Sequence, residues 1–211
     1  HRFFQTVKLD GTVKEFYRNA EDVGSPSLSP DGKWLAFHQG ERSLMVMPKE
    51  GGTPVKVFEG GFAFGLRGGS SFTWTPDSEW LAIERQDSRS VGLYVAKRDG
   101  SANRLVTRAG KGATTPIVSA DGKHFVFSGV EGLDYSEARD GSSAIYVVDL
   151  VPQSLTFTED DLDKINEEPK RETPTVKVTI DDVDLNWRRR RLPIEAFGLC
   201  PVTTGASVYT N

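Results

Sequence analysis

A chain of 211 residues with 37% hydrophobic and 27% charged residues has the balance of a globular protein able to bury a core, not that of a disordered one. Its 26 basic and 30 acidic residues leave a net charge of −4, so no positive field favours nucleic acid or an anionic membrane surface. Cys200 is the only cysteine, which excludes an intrachain disulfide framework and any CxxC site, and the apolar runs are of strand length, far below the roughly 20 residues of a membrane-spanning helix.

The first segment, FFQTVKLDGTVKEFYRN (Phe3 to Asn19), reads as two strands joined at Leu9-Asp10-Gly11-Thr12. SLSPDGKWLAFHQ follows at residues 27 to 39, and it has two relatives, TWTPDSEWLAIER (Thr73 to Arg85) and VSADGKHFVFSG (Val118 to Gly129). Aligned on Asp31, Asp77 and Asp121, the three are 46 and 44 residues apart, a period expected of propellers built from sheet blades. Each begins with a short apolar segment (Pro26 to Leu28, Phe72 to Trp74, Pro116 to Val118), turns, and continues in a strand: KWLAF, EWLAI or KHFVF.

The turn chemistry supports a hairpin independently of the repeat. In Ser29-Pro30-Asp31-Gly32, proline presets φ near −65°, serine and aspartate suit the positions around it, and glycine tolerates the left-handed conformation. Thr75-Pro76-Asp77-Ser78 lacks the glycine, and Ser119-Ala120-Asp121-Gly122 lacks the proline. A third strand is expected at Leu44 to Met47, Gly92 to Ala96 and Ala144 to Val148. A more polar fourth is expected at Pro54 to Phe58, Asn103 to Thr107 and Ser154 to Phe157. The predicted fold is all-β: a partial β-propeller of four-stranded antiparallel blades, with a half blade plus three repeats over residues 1–158.

Residues 159–174 form an acidic linker or insertion, too poor in apolar residues to offset the cost of ordering. Extended structure restarts in residues 175–211, where Val176, Val178 and Ile180 alternate with Lys177 and Thr179. Arg188 to Arg191 reads as a salt-bridged or solvated strand end beside Asp181, Asp182 and Asp184.

The three turns resemble the WD40-like repeats shared by TolB proteins and tricorn-type serine peptidases, and the stretch behind the acidic segment, Val178, Ile180-Asp181, Leu185, Arg190-Arg191 and Leu192-Pro193, resembles the tricorn type. The resemblance covers nearly the whole chain, and Asn186-Trp187 departs from the family's usual acidic-basic pair. In that family a six-bladed propeller precedes a seven-bladed one, then a PDZ-like domain and the serine-peptidase core. It implies that this chain begins mid-blade, that residues 175–211 close the first propeller and lead toward a second, and that the catalytic residues lie beyond Asn211.

The implied function is a noncatalytic propeller segment that channels peptides to or from a proteolytic core. Its implied partners are peptides, neighbouring domains and further copies of itself in a homo-oligomer, with no nucleic acid and no membrane. A cytoplasmic location is favoured, with the periplasm or secretion as alternatives. A TolB-like periplasmic propeller that binds proteins without catalysis is the second reading, and a propeller leading an amidohydrolase or prolyl-peptidase domain is a third.

The residues agree with a noncatalytic segment. His1, His38 and His124 are the only imidazoles, no G-x-S-x-G elbow occurs, and no two histidines lie within a turn of each other, so no catalytic residue, metal site or cofactor is assigned. His38 and His124 are expected to pack in the core or at an edge. EGGFAFGLRGGSS (Glu59 to Ser71) lacks the Gly-Lys-Ser/Thr ending of a phosphate cradle and reads as a crossover between blades, where Phe62, Phe64 and Arg67 are candidate contacts for a peptide or a partner domain.

Overall fold

A computed structural model describes residues 2–62, 71–86, 90–109, 116–129, 144–152 and 176–195. A hairpin of β1 (Phe3–Val7) and β2 (Val13–Arg18) precedes three four-stranded antiparallel sheets. The first runs β3 (Val23–Leu28), β4 (Trp34–Gln39), β5 (Ser43–Pro48), β6 (Val55–Glu59). The second runs β7 (Phe72–Trp74), β8 (Trp80–Gln86), β9 (Val91–Lys97), β10 (Asn103–Ala109). The third runs β11 (Ile117–Val118), β12 (His124–Gly129), β13 (Ala144–Asp149), β14 (Arg189–Glu195).

The middle strands of the first two sheets are buried on both faces because successive side chains point opposite ways and a neighbouring hairpin or sheet covers each side. Leu35 and Phe37 of β4 face the N-terminal hairpin, packing with Phe4, Phe16 and Tyr17. Ala36 faces the second sheet, among Phe58, Phe72, Leu81 and Ile83. Ala82 of β8 in turn faces the third sheet, among Phe125, Phe127 and Val148.

The repeated turn is a clamp. The hydroxyl of Ser29, Thr75 or Ser119 donates to Asp31, Asp77 or Asp121 (2.5, 2.6 and 2.5 Å) and accepts the amide of Trp34, Trp80 or His124 (2.9, 3.0 and 3.0 Å). The same carboxylates accept the amides of Lys33, Glu79 and Lys123. Burial pushes the Asp31 and Asp121 pKa values up, but these hydrogen bonds outweigh it and hold both below the ordinary value.

Where glycine is missing, Ser78 takes the left-handed conformation itself, at φ 62° beside 70° for Gly32 and 72° for Gly122. Its hydroxyl accepts the Asp31 amide at 3.0 Å, so the strained residue joins the first sheet to the second.

The extended segment from Val176 to Ile180 pairs with no strand among the described residues. It runs instead as a strap beneath the second and third sheets, burying Val178 in their shared core. The Val178 amide donates to Asp77 Oδ2 at 2.8 Å, the Asp181 amide to the Leu150 carbonyl at 2.9 Å, and Arg104 pairs with Asp182. The strand expected at Ser154 to Phe157 lies outside the described residues, and the fourth place in the third sheet belongs to β14, whose Arg189, Arg190 and Arg191 pair with Val148, Val147 and Tyr146. Residues 150–188 therefore connect two strands of one sheet, in the position served elsewhere by the short turns 49–54 and 98–102.

The arginine run is a salt-bridged strand end, as its acidic neighbours predict. Arg188 pairs with Asp181 and Arg190 with Asp149, while the Arg189 guanidinium lies 5.5 Å from the Tyr146 ring centre. Asn186 accepts the Thr107 hydroxyl at 2.6 Å and so ties the 3-10 turn Leu185–Arg188 to β10, whereas Trp187 is exposed.

The strap yields a paired prediction. A Cβ on Gly32 would meet nothing within 4 Å, but one on Gly122 would lie 2.9 Å from Val176 Cγ1 and 3.1 Å from Val178 Cγ2. Both glycines have positive φ, so Gly32→Ala is expected to cost about 1–2 kcal/mol of backbone strain alone. Gly122→Ala is expected to cost about 1–3 kcal/mol more by overpacking. Urea titration of the two variants checks the difference, and equal losses would mean that the strap does not press on Gly122.

Candidate binding face

Antiparallel order sorts the connections between strands onto two ends of the sheets. The clamp turns and the strap occupy one end. From the other depart the connections after β6, β8, β10 and β12, each between strand ends fixed by the sheet pairing. Face loops on a rigid scaffold are where binding residues concentrate, so this loop-bearing end is the candidate site.

Its best-defined part lies where the first and second sheets meet. His38, next to last in β4, sits on the Ala36 face of that strand and points between the sheets, fully buried. Its Nε2 lies 3.0 Å from the Ser71 hydroxyl, and its ring centre is 4.4 Å from Phe62 and 5.3 Å from Phe72. Phe62 also meets Phe58, which meets Tyr94. The Gly61 carbonyl accepts the Gln86 amide, and the Ser71 carbonyl accepts that of Glu84, so both flanks of the β6–β7 crossover are stitched to β8.

Phe62 is thus half-buried and anchored inward, while Phe64 and Arg67 lie outside the described residues. The core placement expected of His38 holds, but its contacts are specific. His124, the first residue of the inner strand β12, lies at the opposite, clamp-turn end, partly buried, with its Nδ1 2.8 Å from Asp149 Oδ1.

A buried serine beside a histidine invites comparison with nucleophilic catalysis, which needs a base able to accept a proton and a third group to orient it. Burial lowers the His38 pKa from 6.5 to about 4, making the imidazole a weak base near neutrality. Its Nδ1 meets no acid among the described residues, and neither Ser71 nor His38 is open to a substrate. The pair is a fastening. Among the described residues no three histidine, cysteine, aspartate or glutamate side chains gather where a metal ion would bind.

No protein-family model matches the sequence, and no curated protein matches it. Solved structures do. The crystal structure of TolB from Acinetobacter baumannii aligns over 74% of this chain and 38% of its own, at 22% identity and a TM-score of 0.50. The crystal structure of the tricorn protease aligns over 91% of this chain and 19% of its own, at 15% identity and a TM-score of 0.59. A putative TolB from Agrobacterium tumefaciens aligns over 69% of this chain and 50% of its own, at 26% identity and a TM-score of 0.46. The chain therefore spans half or less of each structure, and the first two likenesses, with the sheet order above, show the fold: four-stranded antiparallel blades of a β-propeller.

Proposed function

We propose that the chain forms noncatalytic blades of a tricorn-type serine peptidase, with the loop-bearing end facing the peptides or the neighbouring domain that it meets. The observation that carries this reading is the extent of the likeness to the tricorn protease, 91% of the chain against 74% for the Acinetobacter TolB. The Ile180-Asp181 to Leu192-Pro193 pattern supports it from the sequence. On this reading the blades guide peptides and wall a homo-oligomeric, cytoplasmic assembly, without a cofactor of their own. Phe62 fastens the first flank of the crossover, and Phe64 and Arg67 remain the proposed contacts for a peptide or partner domain.

The test is to recover the native polypeptide from its source with antibodies raised against this chain. A polypeptide far larger than 23.3 kDa, hydrolysing peptides and blocked by a serine-directed inhibitor, is the expected result. A propeller-sized polypeptide without hydrolysis would overturn it in favour of a TolB-like binding propeller.

A further inference from the structure

We propose that His38 is the positioning residue of the loop-bearing end: one neutral imidazole grips both flanks of the β6–β7 crossover, Phe62 through its ring and Ser71 through Nε2. The two contacts, at 4.4 Å and 3.0 Å, fall on the residues from which the crossover leaves the first sheet and enters the second. A histidine suits both. Phenylalanine in its place would keep the ring contact but strand the buried Ser71 hydroxyl, and glutamine would keep a hydrogen bond but lose the ring.

The tautomer follows from the surroundings. A buried N–H without an acceptor is rarer and costlier than a bare lone pair, and Nδ1 has no partner among the described residues. The proton therefore sits on Nε2 and is donated to Ser71. A second proton would have to sit on Nδ1, buried and without an acceptor among the described residues, so the grip belongs to the neutral ring. Glu84 and Arg85 on β8 and Lys56 and Glu59 on β6 are the ionisable side chains of the packed strands, with Glu21 beyond Gln39. Burial, not a charge from any of these, is what keeps the ring neutral, with a pKa of about 4.

The inference depends on the binding-face reading only for its biological meaning, and its test reads conformation alone, so either can fail without the other. Arg67 is the single basic residue between Phe62 and Ser71, which makes trypsin cleavage there a local report on the crossover. In the full 211-residue chain at neutral pH, His38→Phe and His38→Gln are each expected to speed cleavage after Arg67 by about 10-fold, with other tryptic sites unchanged; this is the loss of one buried hydrogen bond or ring contact. The double change His38→Phe with Ser71→Ala, which removes both polar partners, is expected to return the rate toward that of the wild type.

Deuterium exchange at the imidazole C2 position, read by mass spectrometry on the wild type, is expected to place the His38 midpoint far below that of an ordinary histidine. Equal acceleration at every tryptic site would reduce His38 to core filler and overturn the proposal. So would an unchanged rate after Arg67, a failure of the double change to rescue, or a midpoint near 6.5.

Discussion

Replacing Phe37 by alanine is expected to remove about 3–5 kcal/mol of stability, and to do so unevenly. Phe37 is fully buried, with Phe4 edge-on at 5.1 Å and Tyr17 at 5.1 Å. These rings, with Phe16, hold the β1–β2 hairpin on the first sheet. A two-stranded hairpin is marginal alone in water, so removing its anchor undocks it while the face between the second and third sheets, built from other residues, stays closed. Hydrogen exchange across a urea series checks this. Amides of Phe3–Val7 and Val13–Arg18 should lose protection first, and a uniform loss over all sheets would contradict the local anchoring.

The second large effect is acid sensitivity above the carboxylate range. His38 titrates at 6.5 when unfolded and about 4 when folded. Between those values the unfolded chain binds more protons than the folded one, so stability is intact above pH 6.5 and falls as the pH drops toward 4. The full shift corresponds to about 3 kcal/mol. Asp31 and Asp121, both lowered from 3.8, add their own losses only below that value, and the exposed Glu15 and Glu59, lowered from 4.5, begin only at the foot of the histidine window. Urea midpoints measured from pH 7 to 4 should slope downward in the wild type and flatten in His38→Gln. A wild-type profile flat over that range would sink the assignment.

Much of the fold could be read in the residues because its signals are local. Each clamp turn carries hydroxyl, aspartate and strand within a dozen positions, and three copies reinforce one another. What escaped reading depends on distance along the chain. The fourth strand of the third sheet, RRRLPIE, has no apolar alternation and lies beyond an acidic stretch from its partner, whereas Ser154 to Phe157 follows β13 closely and so reads as its neighbour. Alternation in Val176 to Ile180 suggested a strand, yet the same alternation serves a strap that seats one side chain in a seam. The specific contacts of His38 are not legible because Ser71, its partner, is 33 positions away, and nothing in either neighbourhood marks the pair. Ser78 was legible as a departure from glycine, but its bond to Asp31 required the next sheet to be in place.

The long connection within the third sheet also orders events in time. Closing residues 150–188 costs about 1.5–2 kcal/mol more chain entropy than closing 49–54 or 98–102, because that cost grows with the logarithm of loop length. Contacts far apart in sequence form more slowly than near ones. During folding, then, β11, β12 and β13 are expected to assemble first as a three-stranded sheet with an open outer edge, with β14 joining last through its pairing to β13 and the Arg190–Asp149 contact. A mutation confined to β14 should accordingly speed unfolding far more than it slows folding.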